Sequence, residues 1–240
     1  MTLVLLHPVG LDGGCWQFCD LPGQRPDYPG HGGRPAPADG VLDFGRVADE
    51  IADRYTEPLD VVGLSIGSAV AQYLAVRHPY RVRSLLLAGN GPAGAPRLDR
   101  AEETIRLGMA GTLDVTLRRW FTPAALAQPG HPGVRYARER LLTDDPAGVA
   151  AIWAADRSLL TPEALGAITV PVTVLGGRQD QAATVPRVTE VFQALPSARL
   201  EIIQGPHMLQ LERPREFSAA VRRHLAWADE ELRGEGTRHR

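Results

Sequence analysis

The chain has 240 residues, 44% apolar and 22% charged, with a formal net charge of −2. These are the values of a single globular α/β core with room for an insertion, and they give no electrostatic case for nucleic acid or an anionic membrane surface. All 26 basic residues are Arg, which excludes a Schiff-base lysine and a P-loop lysine.

No run approaches the ~20 apolar residues needed to span a bilayer, and Met1-Thr2-Leu3-Val4 lacks the basic start of a secretion signal. The expectation is a soluble, cytoplasmic protein. Cys15 and Cys19 have no second pair, so they provide neither a structural zinc site nor a disulfide framework and read as free thiols.

Leu3–Leu6 reads as a short buried strand followed by His7-Pro8-Val9-Gly10-Leu11-Asp12-Gly13-Gly14-Cys15-Trp16. A glycine-rich loop in this place serves a dinucleotide or an oxyanion. G-x-G-x-x-G is absent and no acidic residue closes a second strand about 20 residues on. The loop therefore reads as one whose backbone N–H faces a nucleophile, with Val9 as donor. Asp20 to Asp27 offers at most one weak strand before Pro29. Asp27-Tyr28-Pro29-Gly30-His31-Gly32-Gly33-Arg34-Pro35 is too rich in Gly and Pro for regular structure, and His31 reads as a structural loop histidine. Leu42–Glu57 carries Phe44, Val47, Ala48, Ile51, Ala52 and Tyr55 at helical spacing, and Pro58 ends it.

Leu59–Leu64 is the next buried strand, and it runs into Gly63-Leu64-Ser65-Ile66-Gly67. A serine on a sharp strand-to-helix turn sits in strained backbone, and the residues two before and two after must be tiny. The small apolar residues from Ser68 to Val76 continue as a helix whose N-terminus points at Ser65. Arg83–Gly89 is another strand. From about Pro92 to Ala167 the pattern becomes helical only, over Leu98–Leu113, Val115–Trp120, Val134–Leu142 and Pro146–Leu160, which reads as a cap inserted into the same domain. Trp120, Phe121, Tyr136, Trp153 and Met109 concentrate apolar surface there, enough to pack the helices and to line a pocket.

The sheet resumes at Val170–Gly177, and Asp180 follows in the loop before a helix over Val185–Leu195. Ala198–Ile203 is the last strand, and Gln204-Gly205-Pro206-His207-Met208 turns His207 past its end. An amphipathic helix over Pro214–Trp227 follows, then a charged tail, Asp229–Arg240, expected to fray. Strands alternating with helices imply a parallel sheet with its site at the strands' carboxyl ends, where Val9, Ser65, Asp180 and His207 all fall. The order Ser65, Asp180, His207 after separate strands is that of the α/β-hydrolases.

Over nearly its whole length the chain resembles an α/β-hydrolase. Arg119-Trp120-Phe121-Thr122-Pro123 in the cap and Pro206-His207-Met208-Leu209-Gln210-Leu211-Glu212-Arg213-Pro214 resemble the 3-oxoadipate enol-lactonase subfamily. The resemblance implies a mainly parallel sheet of about six strands, without the antiparallel hairpin that usually precedes the oxyanion strand. It implies a Ser65–His207–Asp180 triad, an oxyanion hole from the Val9 and Ile66 N–H groups, and hydrolysis of a small ester or lactone with no metal and no cofactor. Trp16, Arg119, Trp120, Trp153 and Met208 are the candidate substrate contacts. An acidic substrate would need an arginine, from among Arg118, Arg119, Arg135, Arg138 and Arg157. A carbon–carbon bond hydrolase, a non-hydrolytic binder, or a lyase or cyclase using His207 as a plain base stays open on the same scaffold. The oligomeric state stays open as well.

Overall fold

The computed structural model describes residues 1–92, 94–156 and 160–238. Its centre is a five-stranded sheet in which β1 (Thr2–Leu6), β2 (Leu59–Leu64), β3 (Val82–Ala88), β4 (Val172–Gly177) and β5 (Ala198–Ile203) lie side by side in chain order. Every neighbouring pair is parallel. The central strands are continuous apolar runs because both faces are covered, and β2 and β4 are buried at every residue. Edge strand β5 is only half-buried throughout.

Among the described residues a sixth strand is not formed. The segment before Pro29 touches the sheet through one parallel bridge, Val4 to Gln24, in which Leu5 N–H donates to Gln24 O and Gln24 N–H to Leu3 O, each at 2.8 Å. Pro22 and Pro26 lie on either side of Gln24 and cannot donate to a ladder, so the pairing stops after one residue.

Helix α1 (Phe44–Arg54) begins where the Asp43 side chain accepts the Arg46 N–H. It packs on α2 (Ile66–Arg77). The cap segment holds α3 (Leu98–Trp120), α4 (Pro123–Ala127), α5 (Pro132–Thr143), α6 (Pro146–Ala154) and α7 (Pro162–Gly166). What reads in the sequence as two helices before Phe121 is one element with a break at Gly108, whose φ of 65° and ψ of 177° no helix accommodates. Polar ties fasten the cap to the sheet layer, two of them through charged side chains of the loop after β1 and of the turn after His207. Arg140 on α5 pairs with Asp12 at 2.9 Å, and Thr122 gives its N–H and hydroxyl to the two carboxylate oxygens of Glu212 at 2.9 and 2.7 Å.

After β4 come α8 (Val185–Gln193), then β5, the single turn α9 (Leu209–Glu212) and α10 (Pro214–Arg238). The charged tail expected to fray instead extends α10 to Arg238. Ala228 is fully buried and Asp229 pairs with Arg83 of β3 at 2.5 Å, which anchors the helix beyond Trp227. Cys15 and Cys19 are free and buried; burial pushes the Cys19 thiol up to about 11. No helix among the described residues is long and apolar enough to cross a membrane.

Candidate active site

Ser65 lies between β2 and α2 with φ 57° and ψ −116°, and among the described residues it alone has positive φ without being a glycine. Such backbone costs about 1–3 kcal/mol and persists only where its surroundings impose it. They do so here through close packing. A Cβ on Gly63 would collide with the backbone of Gly67, and one on Gly67 with the carbonyl of Leu6. Ser65 N–H donates to Ala88 O at 2.8 Å, and the buried hydroxyl of Ser68 reaches Gly63 O at 2.8 Å and Ala88 O at 3.0 Å. Ser68 thus braces the turn against β2 and β3, a role its place among small apolar residues gave no sign of.

Asp180 follows β4 and His207 follows β5. His207 Nδ1 and Asp180 Oδ2 are 2.7 Å apart, with both side chains at most 4% exposed. The other carboxylate oxygen, Oδ1, accepts the N–H groups of Ala182 and Ala183 at 2.7 and 2.8 Å. Acceptance on both oxygens fixes the carboxylate, and the carboxylate fixes the proton of His207 on Nδ1, leaving Nε2 as a base. Gly89, φ 54°, leaves the space this pair needs, since a Cβ there would sit 3.2 Å from His207 Nδ1 and 3.4 Å from Asp180 Oδ2. Ser65 and His207 line one cavity. The expected hydrogen bond between them is not drawn up, whereas the one between His207 and Asp180 is. Contacts of this kind are often long without a ligand and tighten when substrate binds.

Facing Ser65 across the cavity is the loop after β1. Val9 borders the cavity, as does Ile66, the first residue of α2. Among the described residues, neither N–H is given to a hydrogen bond. Ile66 has no intrahelical acceptor because it opens the helix.

The cavity measures about 480 Å³. Arg119, Trp120 and Trp153 line it from the cap, and a side chamber of about 190 Å³ continues past the same three residues toward Leu107, Met109, Thr112 and Val115. Trp16 and Met208 border neither space, which corrects their reading as substrate contacts. Trp16 lies in a 3-10 turn (Gly13–Phe18), fully buried with its ring 5.6 Å from that of Phe217 on α10; the largest apolar side chain of the loop is core. Met208 is also fully buried. Its N–H donates to Trp120 O at 3.0 Å and its sulfur accepts from Gln210, so consecutive side chains of this turn diverge, His207 toward the cavity and Met208 into the protein.

The cavity wall is electropositive. Arg97, Arg100, Arg119 and Arg187 line it against Asp99 alone among carboxylates. Arg97 is paired with Asp99 at 2.7 Å, and Arg100 lies 5.0 Å over the Trp153 ring. Arg119 is half-buried and has no ion pair among the described residues; burial, and next the charge of Arg97, hold its guanidinium below the usual arginine range. Of the other candidates, Arg118, Arg135 and Arg138 are exposed on the cap's outer faces, and Arg157 lies outside the described residues. Arg97, Arg100 and Arg187 were not singled out in the sequence, since in a chain without lysine an arginine carries no positional signal.

These features match known proteins. Residues 3–220 fit the family described as "Alpha/beta hydrolase family". The chain is 30% identical to the pimeloyl-[acyl-carrier protein] methyl ester esterase of Chromobacterium violaceum, over 93% of each. It is 26% identical to 3-oxoadipate enol-lactonase 2 of Acinetobacter baylyi, over 66% of this chain and 60% of the relative. The enol-lactonase structure from Burkholderia xenovorans LB400 superposes with a TM-score of 0.85 at 26% identity, covering 93% of this chain and 90% of that one. With the match spanning the whole sheet, the serine turn and the cap, the chain belongs to the alpha/beta hydrolase family.

Proposed function

We propose that this protein hydrolyses a carboxylic ester or lactone of a small anionic molecule through an acyl-enzyme on Ser65. The family and its esterase relatives make the chain a carboxylic ester hydrolase. The observation that carries the finer reading is the His207–Asp180 contact at 2.7 Å beside a serine held at φ 57°, opposite two unengaged backbone N–H groups.

The chemistry follows from what each group can do. His207 Nε2 takes the Ser65 hydroxyl proton as Oγ bonds the carbonyl carbon, and Asp180 stabilises the imidazolium that results. The carbonyl oxygen becomes an oxyanion and receives the N–H groups of Val9 and Ile66. Preorganised donors of this kind are each worth about 10²–10³ in kcat. Collapse breaks the carbon–oxygen bond, and His207 returns the proton to the leaving alkoxide, which stays tethered when the substrate is a lactone. Water then gives a proton to Nε2 and attacks the acyl carbon through a second oxyanion; its collapse breaks the bond to Oγ, and His207 returns the proton to Oγ, freeing the acid and Ser65.

Two features support an anionic substrate: the four cavity arginines, and Arg119 in particular, half-buried without an ion pair among the described residues. A carboxylate there satisfies a guanidinium that otherwise bears its desolvation alone. Of the relatives, one is named an esterase of a pimeloyl-[acyl-carrier protein] methyl ester and one a 3-oxoadipate enol-lactonase; the second name is consistent with a carboxylate-bearing substrate. The test compares p-nitrophenyl esters, neutral lactones and lactones bearing a carboxylate. Ester turnover abolished in Ser65→Ala, with preference for the carboxylate-bearing lactone, is the expected result. Turnover surviving in Ser65→Ala refutes the acyl-enzyme, and absence of turnover on all ester, lactone and diketone panels points to a binder on the same scaffold.

A further inference from the structure

The Pro29-Gly30-His31-Gly32 turn takes no part in the chemistry above, yet it buries an imidazole directly behind the loop that carries Val9. His31 is 1% exposed, and its Nε2 accepts the N–H of Gly10 at 3.1 Å. Its Nδ1 faces Pro29 O at 3.5 Å, which places the ring proton on Nδ1 and keeps Nε2 an acceptor. The rings of His7 and Tyr28 enclose it, with centroids 5.5 and 6.5 Å away. Burial, reinforced by His7, pulls the imidazole down to about 3, so it stays neutral through the pH range in which an esterase operates.

Two carbonyls of the loop are tied as well. His7 O accepts the Tyr28 hydroxyl at 3.2 Å, and Pro8 O lies 2.9 Å from His7 Nδ1. From His7 to Gly10 the one N–H left facing the cavity without a partner, among the described residues, belongs to Val9. The planar peptides on the two sides of Val9 share its Cα, so fixing the Gly10 N–H restricts where the Val9 N–H can aim. The turn itself is wedged. A Cβ on Gly30 would strike the backbone of Gly148 in α6, and one on Gly32 the carboxylate of Asp27; these contacts hold His31 at its depth.

We propose that His31 is a positioning residue of the oxyanion hole: by accepting the Gly10 N–H it holds the loop so that the Val9 N–H meets the developing oxyanion. The inference rests on the reading of Val9 as a donor, and the experiment separates the two. Ester hydrolysis and affinity for an alkyl boronic acid, which forms a tetrahedral adduct, are measured for wild type, His31→Gln and His31→Leu, alongside thermal midpoints. Gln keeps an acceptor on a side chain of comparable reach, whereas Leu keeps bulk without one. His31→Leu is expected to lose about tenfold or more in kcat with KM within about twofold, since an oxyanion contact acts on the transition state. Boronate affinity should fall with it, and His31→Gln should regain most of both.

Amide exchange in the wild type supplies a check that needs no variant. The Gly10 amide should be protected with and without boronate, and the Val9 amide only with it. A Val9 amide unprotected by boronate overturns the donor reading and this inference together. Protection of Val9 combined with full kcat in His31→Leu, equal losses in both variants, or a freely exchanging Gly10 amide overturns the role of His31 alone.

Discussion

Replacing Asp180 with Asn probes the site at its most constrained point. Two backbone N–H groups, from Ala182 and Ala183, hold Oδ1 at 2.7 and 2.8 Å, while Oδ2 meets His207 Nδ1 at 2.7 Å. In Asp180→Asn the amide must orient its single oxygen toward the two donors, because turning the NH₂ toward them would set donor against donor twice in a buried place. The NH₂ then faces His207 Nδ1, which has to accept. The imidazole proton moves to Nε2, and a protonated Nε2 cannot take the Ser65 proton. Volume and hydrogen-bond count barely change, so thermal stability should stay within about 1 kcal/mol, whereas kcat should fall about 10⁴-fold, the size of a wrong-tautomer defect. The assay is steady-state hydrolysis of a p-nitrophenyl ester across pH with a matched thermal melt. A loss of less than about tenfold in a folded Asp180→Asn would mean that His207 takes its orientation from elsewhere.

Three further outcomes follow from the cavity and the buried ionisable groups. Arg119→Met should raise KM for a carboxylate-bearing lactone by about ten- to a hundredfold, corresponding to the roughly 1.5–3 kcal/mol of a hydrogen bond to a charged group, and leave a neutral ester within about twofold; equal effects on both would make the pocket apolar in function and the protein a general esterase. Thr112 lines the side chamber of about 190 Å³, so Thr112→Trp should fill it and shift the preferred acyl length of p-nitrophenyl esters toward acetate, and an unchanged chain-length profile would place the acyl group elsewhere. Burial pulls His7, His31 and His224 down to about 4, 3 and 3, below the 6.5 of an unfolded histidine. The unfolded chain therefore binds more protons, and stability falls as pH drops from 6.5 toward 4. Asp144, pushed up to about 6 by burial, acts in the opposite sense, leaving about two protons taken up on unfolding near pH 5 and a loss of roughly 3 kcal/mol per pH unit. Denaturant melts from pH 7 to 4.5 read this slope, and a flat profile would show that the imidazoles are charged in the native state.

Ser65, Asp180 and His207 were legible because each stands just past a short apolar run at a break in it, and a buried parallel strand is the kind of element that such runs mark well. The place of Val9 beside the cavity was legible for the same reason. Position along a turn does not say which way a side chain leaves it. Trp16 and Met208, adjacent to reactive stretches in sequence, both turn inward and join the core. The sixth strand failed on a local fact, the prolines on either side of Gln24, and α10 ran longer than expected because Asp229 finds Arg83 on a strand 146 residues earlier. Contacts of that range leave no periodic trace. The same holds for His31, whose partner at Gly10 is 21 residues away, and for Ser68, whose acceptors lie on two different strands. Arg97, Arg100 and Arg187 of the cavity wall were invisible for a compositional reason, since all 26 basic residues of the chain are of that one type.

The most direct measurement is a crystal structure of the protein inactivated with an alkyl phosphonate, whose tetrahedral phosphorus mimics the first intermediate. Phosphorus bonded to Ser65 Oγ, with one phosphoryl oxygen about 2.7–3.1 Å from both the Val9 and Ile66 nitrogens and the substituent alongside Arg119 and Trp120, is the result expected. Phosphorus on any other residue, or a phosphoryl oxygen turned away from those two nitrogens, would contradict the assignment of nucleophile and oxyanion hole.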